Sequence, residues 1–289
     1  MKILNSYPII CPQIVFKDRF GNHNAFTEIN PAIWFDTTTQ TWTVLVRGIN
    51  YKKLSNSSFT LYHSPAHSLY WIAEGKDLNN LEFRELKFEY GNLKWYSSYW
   101  NGVEDIRFID KDTVIACVPQ LNPGGGPALF KAKINRERSV LESFQALEPH
   151  ARPEKNWLPF PDNKQIVLYS CSPLCIKALE TDTIQELPCR EFKDLFNKSI
   201  EGYHGSTNGV SIGDEYCFLI HKNNVEGRTV HRWLKIKNDF TDCSVGPPFT
   251  FFNHSYIEFP CGLVYKDDTL YVSLGVNDDK AYILQISNL

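Results

Sequence analysis

The sequence predicts an all-β fold, a five-bladed β-propeller formed by residues 1–289 as a single domain, and three observations carry that prediction. Aromatic residues make up 14% of the chain, and Val, Ile and Thr come in short runs with almost no helical periodicity, as in strands that pack face to face. Five hairpin-like units share one grammar: an apolar strand, a short polar turn and a longer apolar strand ending on a polar residue. Their starts, at residues 32, 107, 157, 209 and 262, are 75, 50, 52 and 53 residues apart. A period of about 50 residues suits a four-stranded propeller blade, and no linker-like stretch divides the chain.

In order, the hairpins run from Ala32 to Asp36 with Trp42 to Ile49, Arg107 to Asp110 with Thr113 to Val118, Trp157 to Phe160 with Gln165 to Ser170, Gly209 to Ile212 with Glu215 to His221, and Gly262 to Tyr265 with Thr269 to Gly275. Strand-like runs from Ser68 to Glu74, Leu81 to Tyr90, Ala128 to Ile134, Cys175 to Leu179 and Thr229 to Ile236 supply outer strands. The long first interval leaves about 25 residues for an excursion near Tyr51 to His67. Phe192, Leu195, Phe196 and Ile200 recur at helical spacing, which predicts a turn or two of helix over Arg190 to Ile200. The N-terminal residues are expected to close the ring against the last blade.

Several function classes are excluded. Net charge is −3 with both signs spread along the chain, so no basic face offers itself to nucleic acid and no polybasic segment to anionic lipid. No uncharged apolar run approaches the roughly 20 residues that span a bilayer. The apolar N-terminus is broken by Asn5, Ser6 and Pro8 before a signal segment forms. The expectation is a cytoplasmic protein with neither a nucleic-acid nor a membrane partner. The eight cysteines stand singly and are expected to be free thiols without disulfides; Cys171 and Cys175 lack the second pair or histidine cluster of a zinc site. Asn122-Pro123-Gly124-Gly125-Gly126-Pro127 lacks the Gly-Lys-Ser/Thr and the helix of a phosphate-binding loop. No metal or cofactor is expected.

In a propeller the inner strands converge on the axis, and in an antiparallel hairpin the start of one strand lies beside the end of its partner. Polar residues at those two places should therefore share one rim. They include Asn30, Arg47, Glu104, Asp105, Arg107, Lys155, Asn156, His221 and Asp278, with Tyr169, Ser170, Ser206, Asn208 and Glu258 at equivalent positions and His204, His231 and Arg232 nearby. The central stretch is Gly102-Val103-Glu104-Asp105-Ile106-Arg107-Phe108-Ile109-Asp110, which sets two acids and an arginine on the threshold of a buried strand. A solvated turn is the plainer account of Glu104-Asp105 taken alone. The recurrence of bulky donors at equivalent positions argues instead for Asp105 as a chemical centre ringed by cations and amides. Tyr51, Trp71, Trp95, Trp100 and Trp157 offer sugar-stacking surfaces, although core packing is the commoner role of such residues.

The order of these pieces resembles glycoside hydrolase family 130. The pieces are Asn30-Pro31-Ala32, Arg47, Gly102-Val103-Glu104-Asp105-Ile106-Arg107, Lys155-Asn156, His221, Phe259-Pro260-Cys261-Gly262 and Leu274-Gly275-Val276-Asn277-Asp278. Ile106 stands where the family has proline, so the resemblance is that of a divergent member. It implies a five-bladed propeller and an inverting enzyme of the β-mannoside phosphorylase kind, with hydrolase and mannosyltransferase relatives. Asp105 would be the general acid, protonating the leaving oxygen through a sugar hydroxyl. Arg47, Arg107, Lys155 and His221 would hold phosphate or a sugar phosphate as co-substrate, while Asn30 and Asp278 orient the sugar. Cations in place of a second carboxylate suit attack by an anion.

The functional expectation is a carbohydrate-active enzyme that transfers a glycosyl group, of mannosyl type, to or from phosphate or a phosphorylated donor. A glycoside hydrolase is the alternative on the same scaffold and needs a second carboxylate, with Asp278 or Glu154 as its base. The third reading is a non-catalytic glycan-binding propeller.

Overall fold

A computed structural model of the chain describes every residue except 1, 19, 56–57, 62–65, 148–152, 188–197 and 288–289. Among the described residues the main strands group into antiparallel units, the first two merged into one sheet by a short parallel pairing of Val140 and Leu141 with Lys87 and Phe88. Unit I comprises Thr27–Asp36, Thr41–Ile49, Ala66–Gly75 and Glu82–Phe88, and unit II Glu104–Asp110, Thr113–Cys117, Leu129–Asn135 and Val140–Ala146. Unit III comprises Leu158–Phe160, Asn163–Cys171, Leu174–Ala178 and Ile184–Glu186. Unit IV has Val210–Ile212 and His204–Gly205 on one edge, then Glu215–Asn223, Thr229–Lys237 and Cys243–Val245. Unit V comprises Glu258–Lys266, Thr269–Val276 and Lys280–Ile286, and its fourth strand is the N-terminal Ile3–Ile9, paired antiparallel to Lys280–Ile286. The two chain ends thus close the ring, as the sequence led us to expect.

The strand patterns explain the layering. Central strands such as Thr41–Ile49 are buried on both faces, because each sheet packs against a sheet on either side. The core is correspondingly divided into layers between neighbours. Tyr70, Ile72, Phe108 and Val114 fill the space between units I and II; Ile115, Trp157 and Val167 fill that between II and III. Leu158, Phe160, Phe218 and Ile220 fill III against IV; Leu219, Phe251, Leu263 and Val272 fill IV against V. Val44, Trp71, Val264 and Ile283 complete the circle between V and I. This is the architecture of a β-propeller.

Polar links staple the inner strands where the units converge. The Gly209 N–H donates to Pro159 O at 2.9 Å between units III and IV. Asn208 donates to Leu263 O and accepts from Leu263 N–H, both at 3.0 Å, between IV and V. The Ser273 hydroxyl donates to Pro31 O between V and I. Asn208 is buried and bonded on both sides of its amide, so it belongs to this stapling and not to the rim on which its sequence position set it.

The excursion after Ile49 contains a small hairpin of Tyr51–Ser55 and Ser58–Leu61. Of the helix expected over Arg190 to Ile200, residues 190–197 lie outside the described residues and 198–200 are helical. One expectation is overturned. Cys11, Cys117, Cys171, Cys175, Cys217 and Cys261 are buried free thiols, but Cys243 is disulfide-bonded. It sits on the edge strand Cys243–Val245, partly accessible, where a sulfur is open to a partner that the buried thiols cannot meet. The remaining cysteine, Cys189, lies outside the described residues. No described helix is long and apolar enough to cross a membrane.

Asn208→Ala leaves a buried N–H and C=O of Leu263 without partners, and is expected to lower unfolding free energy by about 2–4 kcal/mol. Urea denaturation of the two proteins measures the difference.

Candidate active site

Asn30 and Asp105 occupy the same place in successive units. Pairing of the first two strands slips between Ile29 and Ala32 in unit I and between Glu104 and Arg107 in unit II, so each residue lies in a bulge. Both have φ of +45°, a left-handed conformation that Asn and Asp tolerate better than most residues. Asn156, just ahead of the first strand of unit III, has φ +64°. A bulge re-aims a side chain out of its sheet. Here it brings the Asn30 amide to 3.0 Å from Asp105 Oδ1. Gly275 makes room: a Cβ there would lie 2.2 Å from Asn30 Oδ1.

Arg47, opposite Ile29 on the second strand of unit I, is almost fully buried. Its guanidinium donates to Glu104 Oε1 at 2.5 Å and Asp105 Oδ1 at 3.3 Å, and to the hydroxyls of Ser68 and Tyr51 at 2.9 and 3.4 Å. Arg107 is also buried, and donates to the backbone oxygens of Ser206 at 2.5 Å and Asp105 at 3.0 Å and to Asn156 Oδ1 at 3.4 Å. Its guanidinium lies over the Phe259 ring at 5.8 Å. Ser206 continues the chain of contacts, with its hydroxyl 2.7 Å from His221 Nδ1. Phe259 also meets the His221 ring, at 5.0 Å.

The structure thus joins Asn30, Arg47, Glu104, Asp105, Arg107 and Asn156 by direct hydrogen bonds, and attaches His221 through Ser206. Lys155 is exposed and hydrogen-bonds to no described residue, yet its charge is felt at Asp105, His204 and His221. Asp278 is half-buried on the turn after Thr269–Val276, and its charge is felt at Tyr51. Glu258 does not join them. Its carboxylate is buried and takes the N–H groups of Phe251 at 2.8 Å and Phe252 at 2.7 Å, the Ser255 hydroxyl and His231 Nε2 at 3.2 Å, so it organises the turn before unit V. Ser68 was not expected in the site; nothing in the sequence marks a serine on a third strand as the partner of Arg47.

Burial alone would raise the pKa of Asp105, but Arg47, Arg107, the Asn30 amide and Lys155 together hold its carboxyl below the usual range. The side chain still keeps 23% of its surface open. Burial, reinforced by His231, His204, Arg107 and Lys155, pushes His221 well below its ordinary value and keeps it neutral. A cavity of about 1080 Å³ is at the other axial mouth, formed by turns that carry Asp36, Asp112 and Asp162. Two of its charge pairs are Lys164 with Asp110 and Arg136 with Asp112, both at 2.7 Å. A smaller cavity of about 500 Å³ between units III and IV is lined by Lys155, Asn156, Tyr169 and His204, and Asn156 ties it through Arg107 to Asp105. No described group of His, Cys, Asp and Glu has the makings of a metal site.

Comparison with solved structures matches the fold over nearly the whole length of the chain. The β-1,2-mannobiose phosphorylase of Listeria innocua, in complex with β-1,2-mannobiose, superposes with a TM-score of 0.60 over 98% of this chain and 97% of its own, at 15% identity. The chain has the fold of the GH130 enzymes. A glycosyl hydrolase of Bacteroides ovatus matches equally well, with TM-score 0.60 and 14% identity over 94% of this chain and 88% of its own. The RS223 β-xylosidase is more distant, at TM-score 0.54 and 9% identity over 90% of this chain and 91% of its own. No protein-family profile matches the sequence, and no curated protein matches it. The resemblance read from the sequence is therefore that of a divergent relative, expressed in fold.

The unfolded chain protonates His221 near pH 6.5 whereas the folded chain does not, so stability falls as pH drops below that value. His221→Gln removes this contribution. Its melting temperature should change less than that of the parent on going from about pH 7.5 to 5.5, as thermal melts will record.

Proposed function

We propose that this protein is a carbohydrate-active enzyme that makes or breaks a mannosyl glycosidic bond at Asp105, by inverting displacement with phosphate or a phosphorylated sugar. The observation that supports this most is the setting of Asp105: a bulge-presented carboxylate, gripped by Asn30 and Arg47, near the charges of Arg107 and Lys155, and open on one side. The fold shared with the mannobiose phosphorylase supports it independently.

In the phosphorolytic direction a phosphate oxygen attacks the anomeric carbon from the face opposite the leaving group. The carbon–oxygen bond breaks with its electron pair on the leaving oxygen, and the Asp105 proton passes to that oxygen, directly or through a sugar hydroxyl. A β-mannoside then yields α-mannose 1-phosphate and a shortened glycan. Three acids, Glu104, Asp105 and Asp278, stand against three bases, Arg47, Arg107 and Lys155. An arriving anion near Arg107 and Lys155 offsets two of the charges that hold Asp105 ionised, so phosphate and the proton bind together. After transfer Asp105 is left as the anion that the empty site favours.

Hydrolysis is the second reading, and one observation favours it: Arg47 and Arg107 spend their donors on the protein itself, leaving Lys155 as the site cation without a described hydrogen-bond partner. Water would then attack, with Asp278 as base. Glu154, the other carboxylate considered, receives Trp157 Nε1 at 3.3 Å and the Tyr169 hydroxyl at 3.0 Å.

Asp105→Asn should fold normally by circular dichroism and lower turnover of β-1,2-mannobiose by roughly two to four orders of magnitude. A phosphate series, repeated with arsenate, separates the two readings. Turnover by the parent that rises with either anion supports phosphorolysis; turnover flat in both supports hydrolysis, and an unchanged rate in Asp105→Asn would remove Asp105 from the chemistry.

A further inference from the structure

The segment that leads into Glu104 and Asp105 carries two aromatic rings that the core does not use. Tyr99 is 80% and Trp100 36% exposed, whereas Trp71 and Trp157 are fully buried. The two rings are adjacent, with centroids 6.3 Å apart. Their backbone is fixed at several points. Tyr96 N–H donates to Gln120 O at 2.8 Å, the Ser98 hydroxyl to Gly125 O at 3.0 Å and Ala66 N–H to Tyr99 O at 3.0 Å. Trp100 and Asn101 pair in parallel with Ala66 and His67.

The glycine-rich loop, which lacks the features of a phosphate cradle, has a use here. Gly125 has φ +66°, and a Cβ on it would lie 2.5 Å from Ser97 O, so only glycine lets this loop seat the 96–101 segment. Beyond the aromatics, Gly102 has φ +99° and packs so closely that a Cβ would lie 2.3 Å from Ser68 O. Ser68 is itself the hydroxyl that receives Arg47 Nε. The exposed rings and the Asp105 carboxylate therefore ride on one rigid stretch. Trp100 and Asp105 are five positions apart in the chain, which limits their Cα atoms to about 17 Å, the reach of a short glycan.

We propose that Tyr99 and Trp100 form an aromatic platform that binds a further pyranose ring of the same glycan, beyond the polar cluster around Asp105; this rests on the functional reading above. Exposed, immobilised aromatic rings carry no net charge and present apolar faces to the C–H faces of a sugar, at little cost in ordering. A solvent-facing pair beside a site, pinned by four hydrogen-bonded or paired backbone positions, is a surface prepared for such contact.

The test uses Asp105→Asn protein, which binds without turnover, and calorimetric titration with β-1,2-mannobiose and with longer β-1,2-linked mannose chains. The longer chains should bind roughly three- to tenfold more tightly than the disaccharide. Tyr99→Ala and Trp100→Ala, added singly, should abolish that gain and leave disaccharide affinity unchanged; the exposure of both rings keeps folding intact, checked by circular dichroism. Equal affinity for short and long chains, or equal loss for both in the variants, overturns the platform while leaving the functional reading in place. Failure of every glycan to bind removes both. Sedimentation showing a dimer that Trp100→Ala dissociates would assign the rings to a second copy of the chain and overturn the proposal as well.

Discussion

The Arg47 guanidinium is withdrawn from water between two units, and the carboxylates that neutralise it come from the neighbouring unit. Removing such a group from solvent costs several kcal/mol, which good hydrogen bonding to Glu104, Asp105, Ser68 and Tyr51 offsets. Because Asp105 takes part, its carboxylate has one place to sit. The backbone oxygen of Asp105 is held in turn by Arg107, which reaches across to Ser206 and Asn156. A continuous chain of charge-assisted bonds therefore runs from unit I to unit IV around the axis. Loss of Arg47 would leave Glu104 and Asp105 without their shared cation, so the site and the ring are stabilised by the same contacts.

This arrangement is held at some backbone expense. Asn30, Asp105 and Asn156 adopt left-handed conformations that most residue types avoid, and close-packed glycines at 275 and 205 leave the space they need. A Cβ on Gly205 would lie 2.4 Å from Asn156 O. The strain falls on residue types that tolerate it, and on the edge of the sheets where the side chains must turn toward the axis. The same rigidity distinguishes the roles of the cations. Arg47 and Arg107 organise the carboxylates, and Lys155 remains available at the border of the cavity between units III and IV.

Much of the architecture is legible in the sequence, because a hairpin of apolar strands around a polar turn declares itself locally. The turns at Lys111-Asp112 and Asp267-Asp268 fall where the polar pattern predicts, and the strands flanking them follow. The short outer strands Ile184–Glu186 and Cys243–Val245 are less legible, since an edge strand of three residues has little apolar pattern to show. The site is legible as a set of positions and not as a set of partners. Glu258 and Glu104 each precede an inner strand, but one is enclosed by backbone amides and the other pairs with Arg47. Asn208 and Asn30 look alike in sequence, yet one staples two units and the other grips Asp105.

By itself the sequence determined the strand periodicity, the repeat and the collection of polar residues at one end of the hairpins. These depend on local alternation and on spacing, which a single chain displays. Only the tertiary structure decided which side chains meet, because Arg47 and Asp105 are 58 residues apart and Arg107 and Ser206 are 99 apart. Their contacts arise when separate units close around an axis. That closure, with bulges that turn Asn30 and Asp105 inward, converts scattered polar residues into one site and commits two of its arginines to holding it together.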